Sequence, residues 1–309
     1  MTRTDWQGIH SVLVTPFDAD GRIDFDRFSE LVDSNIGYGA DGLIVCGSTG
    51  EFYTMSVEER SALFAATVAA TGGRVPVIAG VSDLRNAVVA DLCAAAARAG
   101  CDGILALPPI YAKPDARETE HFYRMIASRS DLPVMLYNSP ARIGVNVTAD
   151  MVARLADLPN VVAIKDSSAD IQQVTELCRK VGDRLAVFVG YETMIRAALP
   201  VGCVGVVAMA HQLSGRLVRR YYDACQKGDK AQADVLEPAL FAIYDCFRSG
   251  SFYAGIKAVM NELGQPVGPP REPLLPFSDA QMAIVRKKLG DAGVEAAIAL
   301  ANTPENTDA

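Results

Sequence analysis

Hydrophobic positions fall in short solid runs along this chain rather than alternating residue by residue. The runs are SVLVTPF (11–17), GLIVCG (42–47), VPVIAGV (75–81), GILALPP (103–109), VMLYNSP (134–140), VVAIKDSS (161–168), LAVFVG (185–190) and GVVAMA (205–210). Their β-branched content predicts strands, and their lack of alternation predicts strands covered on both faces, as in a parallel sheet. Between them the apolar period becomes helical. RNAVVADLCAAAARAG sets Val88, Leu92, Ala95 and Ala99 on one face and stops at Gly100. Ser56-Val-Glu-Glu59 fits a capping box at a helix start, and DRFSELVDSNIGYG again ends on a glycine.

The runs start roughly 20 to 33 residues apart, about one βα unit each. A weak repeat marks the helix-to-strand joins: Gly39-Ala-Asp-Gly, Gly100-Cys-Asp-Gly and Gly202-Cys-Val-Gly. The first glycine suits a helix C-cap and the second a tight start to a strand. Eight such units predict an α/β fold, a (β/α)8 TIM barrel. A doubly wound open sheet is the alternative, but it would more naturally carry a glycine-rich phosphate loop, and no G-x-G-x-x-G occurs. Strand patterns stop after residue 212, where SGRLVRRYYDACQKG, DKAQADVLEPALFAIYDCF, FYAGIKAVMNELG and SDAQMAIVRKKLG read as helices. The expected division is a barrel over 1–222, a C-terminal helical extension over 223–298 and a disordered tail over 299–309.

Composition narrows the partners. A net charge of −8 without a basic cluster argues against nucleic acid and anionic membranes, but not against a small anionic substrate. The longest apolar run, VGCVGVVAMA, is far short of the ~20 residues a spanning helix needs. MTRTDWQGIH has no signal-peptide core, so a cytoplasmic protein is expected. The seven cysteines include no C-x-x-C and read as reduced thiols. His10, His121 and His211 lack zinc-site spacing, and neither metal nor cofactor is expected.

In such a barrel the C-terminal strand ends carry function. Lys165 closes the VVAIKDSS run. Alone, it reads as a lysine reaching solvent. At the rim of an apolar barrel it can instead lose hydration and serve as a neutral amine nucleophile toward a ketone. Tyr137 is either a ring capping the core or a proton shuttle. Arg142 is either a solvated loop charge or a bidentate carboxylate clamp. GSTGE (47–51) is either a plain turn or an anion nest, in which the Ser48 and Thr49 amides hold a carboxylate and glycines permit close approach.

Taken together, GLIVCGSTGE, YNSPAR and IKDS, with Lys165 28 residues after Tyr137, resemble the dihydrodipicolinate synthase / N-acetylneuraminate lyase family over about residues 8 to 290. The resemblance implies a class I Schiff-base lyase acting on a short 2-oxo acid such as pyruvate. It makes Lys165 the Schiff-base lysine and Tyr137 the proton shuttle. Ser48 and Tyr111 would extend the relay, with Tyr111 reaching a neighbouring subunit. Ser48 and Thr49 would bind the oxo-acid carboxylate, and Glu51 would brace the loop. Gly190, Tyr191 and Glu192, in GYET, would face the substrate. A homotetramer, built as a dimer of dimers, is implied. Arg142 suits a dihydrodipicolinate synthase. GYET, GEFYTMS and the apolar set Phe52, Val57, Leu84 and Ile110, where synthases keep a polar pocket for feedback lysine, suit 2-keto-3-deoxy sugar acid aldolases or dehydratases. Ala208 and Met209 speak against a sialic acid lyase. A barrel that only binds ligands is the reading from a different class, and the intact Lys, Tyr and GSTGE set argues against it.

Overall fold

The structure, a computed structural model, describes residues 5–303. Eight parallel strands close into a barrel in sequence order: β1 (Gly8–Val12), β2 (Gly42–Val45), β3 (Val77–Gly80), β4 (Gly103–Ala106), β5 (Val134–Asn138), β6 (Val161–Asp166), β7 (Ala186–Val189) and β8 (Gly205–Ala208). Gly8 pairs with Gly205 where β1 meets β8. Nearly every strand residue is buried, as the unbroken apolar runs predict. Helices α1 (Phe25–Gly37), α2 (Val57–Thr71), α3 (Asn86–Ala99) and α4 (Ala116–Ser128) come after the first four strands. Next are α5 (Pro140–Ile143) with α6 (Ala149–Leu155), α7 (Ile171–Val181), α8 (Ile195–Ala198), and α9 (His211–Ser214) with α10 (Arg216–Lys227). The capping box forms, with Ser56 accepting from the Glu59 amide and Glu59 from the Ser56 amide.

The observed strands stop short of the apolar runs, whose last residues enter the loops at the strand ends. The first run is also displaced: β1 starts at Gly8, and Thr15-Pro-Phe leaves the sheet. Gly-Ile-His does not look like a strand, yet His10 is fully buried between the rings of Trp6 and Phe188. The glycine repeat serves the barrel floor. Gly39, Gly100 and Gly202 take φ of +91°, +82° and +110° at the helix ends. A Cβ at Gly42 would lie 2.7 Å from the His10 ring, and one at Gly103 would lie 2.3 Å from Trp6. The aspartate inside the repeat has a job as well. Asp41 accepts the Ile9 amide and Asp102 the Val77 amide, each pairing the neighbouring strand's N–H.

The extension comprises α11 (Lys230–Phe247), α12 (Phe252–Glu262), α13 (Asp279–Asp291) and α14 (Val294–Asn302). Two expected boundaries change. Residue 222 falls inside α10, whose apolar face continues to Ala224, so the barrel's last helix ends at Lys227. Residues 299–302 are helical, because α14 buries Val294 and Ala301 and caps its end at Thr303; residues 304–309 lie outside the described residues. The extension packs α11 on α10, and it brings α12 against the Ser48–Gly50 turn at the top of the barrel.

Candidate active site

The site is built around the β5–β6 pair. The ladder between them shifts register at Val134/Met135, and this sets Tyr137 opposite Lys165 and Asn138 opposite Asp166. Without the shift Tyr137 would face Ile164, and the lysine would lose its neighbour. Lys165 is only 4% exposed, and its Nζ lies 4.2 Å from the centroid of the Tyr137 ring. Burial pushes the Tyr137 phenol up, but the Lys165 charge and hydrogen bonds from Lys165, Ser139 and Ser167 outweigh it, so the phenol sits below its usual range. A lysine and a phenol lowered from its usual range, in contact, are the two groups between which a proton can pass.

The strand's polar residues point two ways. Asn138 and Asp166 turn from Tyr137 and Lys165 into a network of their own. The Asp166 carboxylate accepts from Asn138 Nδ2 at 2.8 Å, Gln173 Nε2 at 2.7 Å and both the amide and the hydroxyl of Ser168. This fixes the strand ends from behind. Gly190, at the end of β7, sits where a Cβ would come 1.8 Å from Ser167 Oγ and 3.0 Å from Lys165 Cε. Glycine there leaves room for the lysine and its serine.

Across the barrel, Cys46 and Glu51 bracket the GSTGE loop with left-handed φ of 53° and 59°. Between them Ser48–Gly50 forms one 3-10 turn. The Ser48 and Thr49 amides open that turn and so have no acceptor within it. Thr15 Oγ1 donates to Gly50 O at 2.7 Å and pins the loop. Glu51 is fully buried and braces rather than reacts: its carboxylate contacts Lys257 Nζ at 2.6 Å and accepts the Arg271 amide at 2.9 Å. Burial holds Lys257 at about 8 in spite of Glu51.

The other sequence-predicted residues divide between the mouth, the wall and the outer surface. Arg142, on α5, is exposed, with Cζ 5.1 Å from the Phe252 ring centroid and 4.8 Å from that of Tyr253. Tyr191 is half-buried; burial, with Tyr137 nearby, pushes its phenol up against the opposing charges of Arg142 and Arg248. Glu192 is fully buried, accepting the Ala210 amide at 2.5 Å and the Tyr244 hydroxyl. Both oxygens are engaged, so it ties the seventh loop to the eighth and is not open to a substrate. Tyr111 is 91% exposed, whereas Lys165 is buried. Sequence reasoning missed Ser139 and Ser167, although each sits one or two places beyond a residue it singled out. It also missed Tyr253, which no motif marks. Burial raises the Tyr253 phenol, and Tyr137, Arg142 and Ser48 all act on it.

Comparison with known proteins is specific. The model of the dihydrodipicolinate synthetase family matches residues 5–292. An uncharacterized DapA-like lyase of Rhizobium meliloti is 36% identical over 93% of this chain and 96% of its own length. A 4-hydroxy-tetrahydrodipicolinate synthase of Desulforamulus reducens is 35% identical over 93% of this chain and 97% of its own. The crystal structure of dihydrodipicolinate synthase DapA-2 from Bacillus anthracis superposes with a TM-score of 0.89 at 33% identity, covering 94% of this chain and 99% of that one. YagE, a prophage protein of Escherichia coli solved in complex with pyruvate, gives a TM-score of 0.89 at 28% identity, over 94% of this chain and all of that one (100%).

Proposed function

This chain belongs to the dihydrodipicolinate synthetase family, and from that premise we propose that it is a cytoplasmic lyase cleaving or dehydrating a 2-keto-3-deoxy sugar acid through a Schiff base on Lys165. The observation that carries the chemistry is the buried Lys165 held against Tyr137 at adjoining strand ends. The lysine amine adds to the 2-oxo carbon, and loss of water gives an iminium that acts as an electron sink. Loss of the C4 hydroxyl proton then breaks C3–C4, releasing an aldehyde and leaving an enamine that is protonated at C3. Alternatively, loss of a C3 proton and departure of a hydroxyl as water leaves an unsaturated iminium. Hydrolysis in either case frees the product and restores the lysine. Tyr137 moves the proton in each direction, with Ser139 and Ser167 holding its oxygen. Ser48 and Thr49 take the carboxylate, and Arg142 meets the far end.

The sugar-acid reading draws on a second cavity, of about 460 Å³, whose lining includes Phe52, Leu84 and Ile110. Val57 is outside that lining. Two of the cavity's polar residues already have partners: Ser82 Oγ accepts the Leu107 amide, and Asp83 faces Arg60 and Arg85. An amino acid there would leave polar groups unpaired, so free lysine should not regulate the enzyme. Synthase activity is the second reading, favoured by Arg142 and by relatives named as that synthase. Tyr111, with Leu84 59% and Ile110 37% exposed near it, suits the rim of an interface with a second copy, and a homotetramer fits this reading.

The test is a panel of 2-oxo acids scored for pyruvate release, dehydration and condensation with an aldehyde, with and without millimolar lysine. Turnover of a sugar acid, indifferent to lysine, is expected. Efficient condensation with aspartate semialdehyde and inhibition by lysine would assign the synthase instead.

A further inference from the structure

Phe252 and Tyr253 are the first two residues of α12, and the extension sets them over the mouth of the barrel. Their rings meet nearly perpendicular, with centroids 5.6 Å apart, and Tyr253 also lies 6.2 Å from Tyr53 in the loop after GSTGE. The Arg142 guanidinium rests over both rings, within about 5 Å of each centroid. Among the described residues no carboxylate forms an ion pair with it. An exposed arginine on a short loop helix would otherwise sample many rotamers. Seated against two rings, it loses less freedom when it binds an anion. In a protein with a net charge of −8, an anion at this mouth needs such a local cation.

We propose that Phe252 and Tyr253 are specificity-determining residues that pre-orient Arg142, so that the site prefers 2-oxo acids whose far end carries a second carboxylate. This rests on the Schiff-base reading and narrows it to the diacid members of the sugar-acid class. The planar fork matches a carboxylate bidentately, and the two rings restrict the positions it can take. The selector belongs to the C-terminal extension rather than to the barrel, so substrate choice is set by an element remote in sequence from the reacting lysine.

The experiment measures borohydride trapping at Lys165 with two probes of equal chain length, 2-oxoglutarate and 2-oxopentanoate, which differ only in the tail. The ratio of their half-saturation concentrations is the readout, because a general loss of activity lowers both arms together. Wild type should favour 2-oxoglutarate by about tenfold, the size of one charge-assisted contact. Phe252→Ala and Tyr253→Leu, the second of which keeps bulk but no ring, should bring the ratio near one, and Tyr253→Phe should restore it. A ratio near one in wild type, or one unchanged in both Phe252→Ala and Tyr253→Leu, overturns the proposal. Failure of wild type to trap either probe or pyruvate at Lys165 overturns the Schiff-base reading instead, and the lack of any adduct tells the two failures apart.

Discussion

At the scale of single residues, the chemistry depends on one register. The shift at Val134/Met135 turns two strands that share only apolar pairs into strands that end on Tyr137 beside Lys165. Replacing Tyr137 by Phe keeps the ring beside Lys165 and removes the hydroxyl we propose as proton carrier. The expected outcome is a fall in kcat of roughly 10²- to 10⁴-fold, the usual range for a lost general acid–base, measured on whichever 2-oxo acid the panel identifies. Lys165 and Tyr137 were legible in the sequence because a polar residue at the end of a buried run contradicts its neighbours. Ser139 and Ser167 were less so, since serine after a strand is ordinary loop chemistry. The surroundings of Glu192 were not legible, because the Ala210 amide and the Tyr244 hydroxyl that close on it come from other parts of the chain.

At the scale of elements, the extension holds the GSTGE loop by a buried ion pair. Lys257 and Glu51 are each about 1% exposed at the side chain. Lys257→Met leaves the carboxylate buried without its cation and should cost about 3–5 kcal/mol in urea unfolding. The double variant with Glu51→Gln should recover part of that loss. The pH dependence has a definite sign. Lys257 is held at about 8 in the folded protein, mainly by burial, against ~10.4 in an unfolded chain. Between those values the unfolded chain binds the proton that the folded one does not, so this group's contribution to stability rises with pH across that window. Lys257→Met should remove that rise. Helices were legible from period and caps, as α2 and α3 show, because a local pattern specifies them. The start of β1 was not, because Gly8 and His10 are chosen by Gly205 and Phe188 from distant parts of the chain, with Trp6 packing beside them. The seat of Arg142 on Phe252 and Tyr253 was hidden likewise: 110 residues separate it from them, and only the packing of α12 joins them.

At the scale of the whole molecule, the barrel supplies the lysine and the extension covers the mouth, while the exposed Tyr111 carries the contact with a second copy that we propose. Co-expressing Lys165→Ala with Tyr111→Phe tests that last step. If Tyr111 acts across an interface, mixed assemblies contain a site with an intact lysine and an intact partner tyrosine, and activity returns above that of either variant alone. Activity no higher than the separate variants would place Tyr111 outside the relay. That the barrel presents Lys165 as a covalent nucleophile is tested most directly by mass spectrometry after incubation with pyruvate and borohydride. One reduced pyruvate adduct per chain, mapped to Lys165 and lost in Lys165→Ala, is expected; an adduct of equal yield in that variant, or none in wild type, would contradict it.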